Sequence, residues 1–253
     1  MTLQEFFKEN LKAAIAFSGG VDSAYLLYAA LECGADVGAY FVKSQFQPEF
    51  ELEDARRLAA ELEDRFGCCG ILKVLEADVL ADPIVASNPP DRCYHCKKRI
   101  FSKILAAAAE DGYSAILDGT NASDDEGDRP GMRALREIEV RSPLRLCGLT
   151  KDEIRRRARE AGLFTWDKPA YACLATRVPA GRPITAEDLR RVEKAEDFLT
   201  GRGYRDFRVR LYHDAARIQL PADQMVRALG EKEEIVSRLK ESFEYVLLDM
   251  EGR

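Results

Sequence analysis

The chain has 253 residues, 46% hydrophobic and 32% charged, with a net charge of −6 and a pI near 5.3. That length suits one large domain, or a domain with a small appendage, in an ordinary water-soluble globular protein. The acidic balance argues against nucleic acid as the main partner, because such binding rests on neutralising phosphates with a basic surface.

The N-terminal stretch carries Glu5 and Glu9 where a signal peptide would be basic, and no apolar run approaches the roughly 18 residues that span a bilayer. The expectation is a cytoplasmic protein with no membrane partner. Lys12–Phe17 reads as a short strand, followed by a glycine turn and an apolar helix to Cys33. Asp36–Val42 is a second strand. Pro48–Phe66 is a helix, with Leu52, Ala55, Leu58, Ala59 and Leu62 at helical spacing. Ile71–Leu75 is a third strand, Cys96–Glu110 a helix, and Ala115–Leu117 a fourth strand running into Asp118-Gly119-Thr120-Asn121. The acidic run Asp124–Gly131 reads as a loop. Thr150-Lys151-Asp152-Glu153 has the pattern of a capping box, opening a helix that stops at Gly162. Such β-α-β-α alternation predicts an α/β fold, a parallel sheet with helices on both faces.

After Pro183 the style changes. Thr185–Thr200 is a helix with Thr185 as N-cap. Asp206–Leu211 and Ala216–Leu220 form a hairpin, and Glu231–Phe243 is a charged helix before a last strand at Tyr245–Leu248. The predicted division is a nucleotide-binding domain over 1–182 and a small C-terminal α+β domain over 183–253.

The most specific local signal is Ala16-Phe17-Ser18-Gly19-Gly20-Val21-Asp22-Ser23-Ala24, set between the first strand and the first helix. Free N–H groups of a glycine turn and a helix N-terminus face the C-terminal edge of the sheet there, an arrangement that binds phosphate. Ser18 and Ser23 add hydroxyls, and Asp22 is placed to bind magnesium or to orient the turn. The stretch resembles the SGGxDS loop of the N-type ATP pyrophosphatases, or PP-loop enzymes. That resemblance implies ATP cleavage between the α and β phosphates. It also implies nucleotide contacts from Ser18, Gly19, Gly20, Asp22 and Ser23, from Gly119 and Thr120, and from Lys151 at a helix start. Ser44, just past the second strand, is expected near the adenine.

Disulfides are disfavoured in the cytoplasm, so the seven cysteines read as mostly free thiols. Cys33, Cys68, Cys69 and Cys147 read as small packed side chains. Cys93 and Cys96 lie among Arg92, Lys97, Lys98 and Arg99, and a helix start expected at Cys96 would further favour thiolates. By themselves they fit half a zinc site, a redox pair, or two legs of a larger cluster. Zinc asks for four ligands, and His95 is awkwardly wedged between the two thiols.

The segments SGGVDS, DGTN, the acidic loop, PLRLCGLTKDEIR and KPAYACLATRVPAG together resemble the LarE family, which supplies sulfur in nickel-pincer nucleotide synthesis. The resemblance implies an ATP- and Mg2+-dependent sulfur transferase acting on a small nucleotide, pyridinium-3,5-biscarboxylic acid mononucleotide. A carboxylate is adenylated, and sulfur then displaces AMP to leave a thiocarboxylate. Asp22, Lys151 and Cys173 become the catalytic set. In one family branch a single cysteine matching Cys173 gives up its own sulfur. In another, three cysteines hold a [4Fe-4S] cluster, and Cys93, Cys96 and Cys173 match it. Three thiolates leave one iron of the cubane open for sulfide from an external sulfur donor. The family also implies a homo-oligomer.

Arg208 and Arg210 alternate with Phe207, Val209 and Leu211, so both project from one strand face and suit a phosphate. They resemble the family's substrate-phosphate arginines, with Glu196 and Arg202 as further polar contacts. Gln219 departs from the single-cysteine branch, where an acid is expected. The rivals are a tRNA thiolase of the same PP-loop class and a nitrogen-transferring pyrophosphatase indifferent to Cys173.

Overall fold

The computed structural model describes residues 1–124 and 130–253. The chain opens with α1 (Leu3–Glu9), β1 (Lys12–Ala16), α2 (Val21–Glu32), β2 (Asp36–Lys43), α3 (Glu49–Phe66) and β3 (Leu72–Glu76). A short helix α4 (Pro83–Ala86) precedes α5 (Arg92–Glu110), β4 (Ile116–Leu117), α6 (Pro130–Glu137), α7 (Pro143–Leu146) and α8 (Lys151–Glu160). Two 3-10 turns, Phe164–Asp167 and Leu174–Arg177, lead to α9 (Ala186–Gly201). The chain closes with β5 (Arg208–Tyr212), β6 (Ala215–Gln219), α10 (Ala222–Gly230), α11 (Lys232–Leu239) and β7 (Tyr245–Leu248). It forms two compact units. The first comprises 1–78 and 91–168, the second 79–90 and 169–253.

In the first unit β1 to β4 form one parallel sheet in the order β3-β2-β1-β4. Successive residues of a strand face opposite sides. Ala13, Ile15, Val37, Ala39 and Phe41 accordingly join the core built with α1, α2, α3 and α8. Ala14, Tyr40 and Val42 are buried outside that core, and α5 packs on β1 and β2. The α/β architecture with helices on both faces is therefore present. From Ser23 to Ala30, α2 is buried all round, which explains its lack of a polar stripe. By contrast, α3 buries only the stripe Leu52, Ala55, Leu58, Ala59 and Leu62 that its spacing predicts.

Several boundaries differ from expectation. Helix α5 begins at Arg92, with Asp91 at the N-cap position but making no side-chain cap bond, so Cys93 and Cys96 both lie inside its first turns. Thr150 caps α8 by accepting the Glu153 N–H at 3.4 Å, but the Glu153 carboxylate pairs with Arg156 and Arg157 and does not close the box. Of the acidic run Asp124–Gly131, residues 125–129 lie outside the described residues, and Pro130 and Gly131 open α6. Among the described residues no helix is long and apolar enough to cross a membrane.

The second unit is a three-stranded sheet, β5 antiparallel to β6 and β6 parallel to β7. Helix α9, capped at Thr185, packs on β5 through a stripe containing Leu189, Val192, Ala195 and Leu199. Residues 79–90 belong here because backbone bonds stitch them in. The N–H of Ile184 donates to Ala86 O at 2.7 Å, and that of Gly181 to Asn88 O at 2.9 Å. Buried Asn88 also donates its side-chain amide to Pro179 O and Arg182 O at 2.8 and 3.0 Å.

Candidate active site

A cleft of about 300 Å³ opens in the first unit where β1, β2 and β4 end. Ser18, Asp22, Ser23, Gly119 and Thr120 line it, which gathers five of the residues expected on the nucleotide. The loop is braced from within. Ser18 N–H donates to Ser23 Oγ at 3.2 Å, the two hydroxyls lie 3.1 Å apart, and Ser23 Oγ donates to Gly20 O at 3.2 Å. Gly19 has φ +71°, a left-handed conformation that β-carbon sterics disfavour, and a Cβ there would also lie 3.1 Å from Glu51 O. Gly119 serves close approach. A Cβ there would stand 2.9 Å from the backbone N of Ser23 and 3.2 Å from Asp22 Cβ, so only glycine lets this loop sit on the first turn of α2.

Asp22 is the electrostatic centre. Lys151 Nζ reaches its Oδ2 at 2.6 Å, and Asn121 Nδ2 donates to its Oδ1 at 3.4 Å. Burial raises the Asp22 carboxyl above the ordinary range, against the downward pull of Lys151. Asp118 organises the facing loop by accepting Thr120 N–H at 3.2 Å, Thr120 Oγ1 at 2.6 Å and Ser142 Oγ at 2.7 Å. Ser44 is buried outside the lining, with its hydroxyl on Gln47 at 2.6 Å, and Gln47 itself faces the cleft. Lys97 lines the cleft too. Burial lowers its pKa, while the charges of Asp118, Cys93, Asp124 and Cys96 oppose that. The sequence offers no local signal for Gln47; Lys97 stands out there only as a neighbour of Cys96.

Cys93 is exposed, Cys96 buried, and Arg92 Nη2 lies 3.7 Å from Cys93 Sγ. Cys173 belongs to the second unit, where it caps the 3-10 turn Leu174–Arg177 and its carbonyl accepts Thr176 Oγ1 at 2.8 Å. Among the described residues no group of three His, Cys, Asp or Glu side chains is gathered to hold a metal ion.

Four residues beyond Cys173, Arg177 is fully buried against Glu196, with Nε to Oε1 at 2.9 Å and Nη2 to Oε2 at 3.1 Å. Glu196 also accepts the Val209 N–H at 2.8 Å and the Tyr171 hydroxyl. Arg208 and Arg210 flank this pair on β5. Burial and the neighbouring charges of Arg177 and Arg253 push Arg208 down to about 10, and burial with Arg177 and Arg217 lowers Arg210 likewise. Positive charge outweighs negative around this partly buried group, an arrangement suited to an anion. Arg210 Nε donates to Gln219 at 2.6 Å, and Gln219 passes the contact to Asp249 at 2.7 Å. The acid expected at position 219 is thus replaced by an amide relaying to an acid beyond β7. Arg202 is engaged differently, in ion pairs with Glu231 and Glu234. Arg177 carries no local signal in the sequence, since its partner lies 19 residues away on another helix.

A parallel sheet with a serine- and glycine-rich phosphate turn opening α2, faced by a lysine at the start of α8, defines a PP-loop enzyme of the ATP pyrophosphatase class. The family described as thiamine biosynthesis protein ThiI matches residues 10–200. The chain is 34% identical over 254 residues to the pyridinium-3,5-bisthiocarboxylic acid mononucleotide synthase of Lactiplantibacillus plantarum, covering 99% of this chain and 90% of that one. It is 38% identical over 259 residues to an uncharacterized protein of Synechocystis, covering 99% and 92%. A tRNA-specific 2-thiouridylase of Clostridium botulinum is 29% identical over 181 residues, covering 61% of this chain and 51% of its own. The chain belongs to the LarE family and is an ATP-dependent sulfurtransferase.

Proposed function

We propose that this protein adenylates a carboxylate of pyridinium-3,5-biscarboxylic acid mononucleotide and converts it to a thiocarboxylate. Similarity across 99% of the chain to a synthase of the corresponding bisthiocarboxylic nucleotide is the observation that carries the reading. The site chemistry supports it. The N–H groups at the start of α2 hold the ATP phosphates, with the Ser18 and Ser23 hydroxyls. Mg2+ at Asp22 would offset phosphate charge. Lys151, beside Asp22 at the start of α8, would add its positive charge to the phosphates. The substrate carboxylate attacks the α-phosphorus and pyrophosphate leaves; sulfide-level sulfur then attacks the acyl carbon and AMP departs, leaving the thiocarboxylate.

In the second unit Arg208 and Arg210 take the substrate's phosphate, while Glu196 fixes Arg177 and thereby the backbone that carries Cys173. Arg202 supports the neighbouring helices through its ion pairs. Cys93 and Cys96, one helical turn apart on α5 beside Arg92 and Lys97, would supply two ligands of an iron–sulfur cubane and Cys173 the third. A [4Fe-4S] cluster on Cys93, Cys96 and Cys173 would supply bound sulfide as the nucleophile. We place the enzyme in the cytoplasm as a homo-oligomer fed by a sulfide source, with 1–182 binding ATP and 183–253 the substrate. The test is isotope exchange between ATP and pyrophosphate. Exchange that requires the mononucleotide supports the reading, and exchange driven by tRNA instead overturns it.

A further inference from the structure

The lining of the nucleotide cleft divides by chemistry. Ser18, Asp22 and Thr120 are suited to phosphate, whereas Tyr40, Val42 and Phe101 are suited to an aromatic base. Gln47 is an uncharged amide on that lining, carried by the loop that follows β2 after Lys43.

Its orientation is set from several sides. Ser44 Oγ accepts the Phe46 N–H at 3.2 Å and gives its one proton to Gln47 Oε1 at 2.6 Å. Gln47 N–H donates to Ser44 O at 3.2 Å, and Lys43 Nζ donates to Gln47 O at 2.7 Å while pairing with Glu49 at 3.0 Å. Phe46 anchors the loop at 1% exposure. With its oxygen engaged by Ser44, the Gln47 side chain has its two N–H donors left for a ligand.

We propose that Gln47 reads the base of the nucleotide, donating to N1 of adenine, and that buried Ser44 is its positioning residue. The inference rests on the reading of this cleft as the ATP site. N1 of adenine carries a lone pair, whereas N1 of hypoxanthine or guanine carries a hydrogen. An amide held with its N–H outward therefore accepts adenine and opposes donor to donor against the others. The mismatch leaves buried donors unpaired, which lowers affinity by on the order of 100-fold.

Calorimetric titration of the full chain with Mg-ATP and Mg-ITP, without carboxylate substrate or sulfide, tests this. ITP differs from ATP at N1 and C6 without the added amine of GTP. The wild type is expected to favour ATP by on the order of 100-fold. Gln47→Leu should erase that ratio, and Gln47→Glu, which offers only acceptors at neutral pH, should reverse it. Ser44→Ala should reduce the ratio by freeing the amide to flip. Because both nucleotides are titrated into the same variant, a general loss of folding changes neither ratio in this pattern. A ratio unchanged in Gln47→Glu overturns the inference, as does a change confined to 2′-deoxyATP against ATP, which would put Gln47 on the ribose. A reversed ratio in an enzyme that transfers no sulfur would sustain the inference and overturn the proposed function alone.

Discussion

Glu196→Gln removes the carboxylate that neutralises the buried arginine group of the second unit while keeping the side chain's shape. Arg177 and Glu196 have side chains 0% and 5% exposed and meet through two N–H···O bonds, so neither charge can turn to water. Removing one partner of such a pair costs about 3–5 kcal/mol, because the other charge stays buried and unpaired. At roughly 2–4 °C per kcal/mol for a chain of this size, the melting temperature should fall by roughly 6–20 °C. Differential scanning calorimetry would read the shift, with urea titration as the second probe. The double variant Arg177→Met, Glu196→Gln should recover part of the loss, since it removes the stranded Arg177 charge while the amide oxygen still accepts the Val209 N–H. A single variant within about 1 kcal/mol of wild type, the range of exposed pairs, would refute the reasoning.

Gly119→Ala should raise the KM for ATP and cost roughly 1–3 kcal/mol of stability, because its Cβ would meet the Ser23 backbone N at 2.9 Å; unchanged kinetics and melting would show that the loop yields freely. Arg210→Ala should raise the KM of the mononucleotide by roughly 10- to 100-fold, the loss of a charged hydrogen bond, and leave the KM of ATP unchanged. Equal effects on both substrates would remove Arg210 from the phosphate site. Anaerobically reconstituted protein should hold about four irons per chain. Iron content should fall in each of Cys93→Ala, Cys96→Ala and Cys173→Ala; no iron, with Cys173 converted to dehydroalanine during reaction, would mean that the protein spends its own sulfur.

What the sequence reveals follows the range of the interaction. The phosphate turn and α3 were legible because their signals repeat within one element: Ser18 to Ser23 in one loop, Leu52 to Leu62 on one helix face. Thr2 and Glu5 form the reciprocal capping box of α1, a local signal carried by Thr2-Leu3-Gln4-Glu5. Helix α10 is weakly signalled because it buries little beyond Ala228. The partition of residues 79–90 rests on bonds from Asn88 to carbonyls 91 and 94 positions away, which no local pattern encodes. The same holds for the site. Gly119 could be placed near ATP, but its contact with Ser23 N, the Arg177–Glu196 pair and the Gln219–Asp249 relay exist only after folding. Arg208 and Arg210 were readable from strand alternation, whereas the carboxylate that balances them comes from α9.

The central claim is sulfur transfer onto an adenylated carboxylate of the pyridinium mononucleotide. The most direct measurement supplies ATP, Mg2+, that mononucleotide and isotopically labelled sulfide, then analyses the products by mass spectrometry. The account predicts AMP and pyrophosphate in step with a thiocarboxylate that carries the label, over several turnovers per chain. Unlabelled thiocarboxylate limited to one per chain would contradict delivery from external sulfide, and AMP formation with no sulfur in the product would contradict sulfur transfer itself.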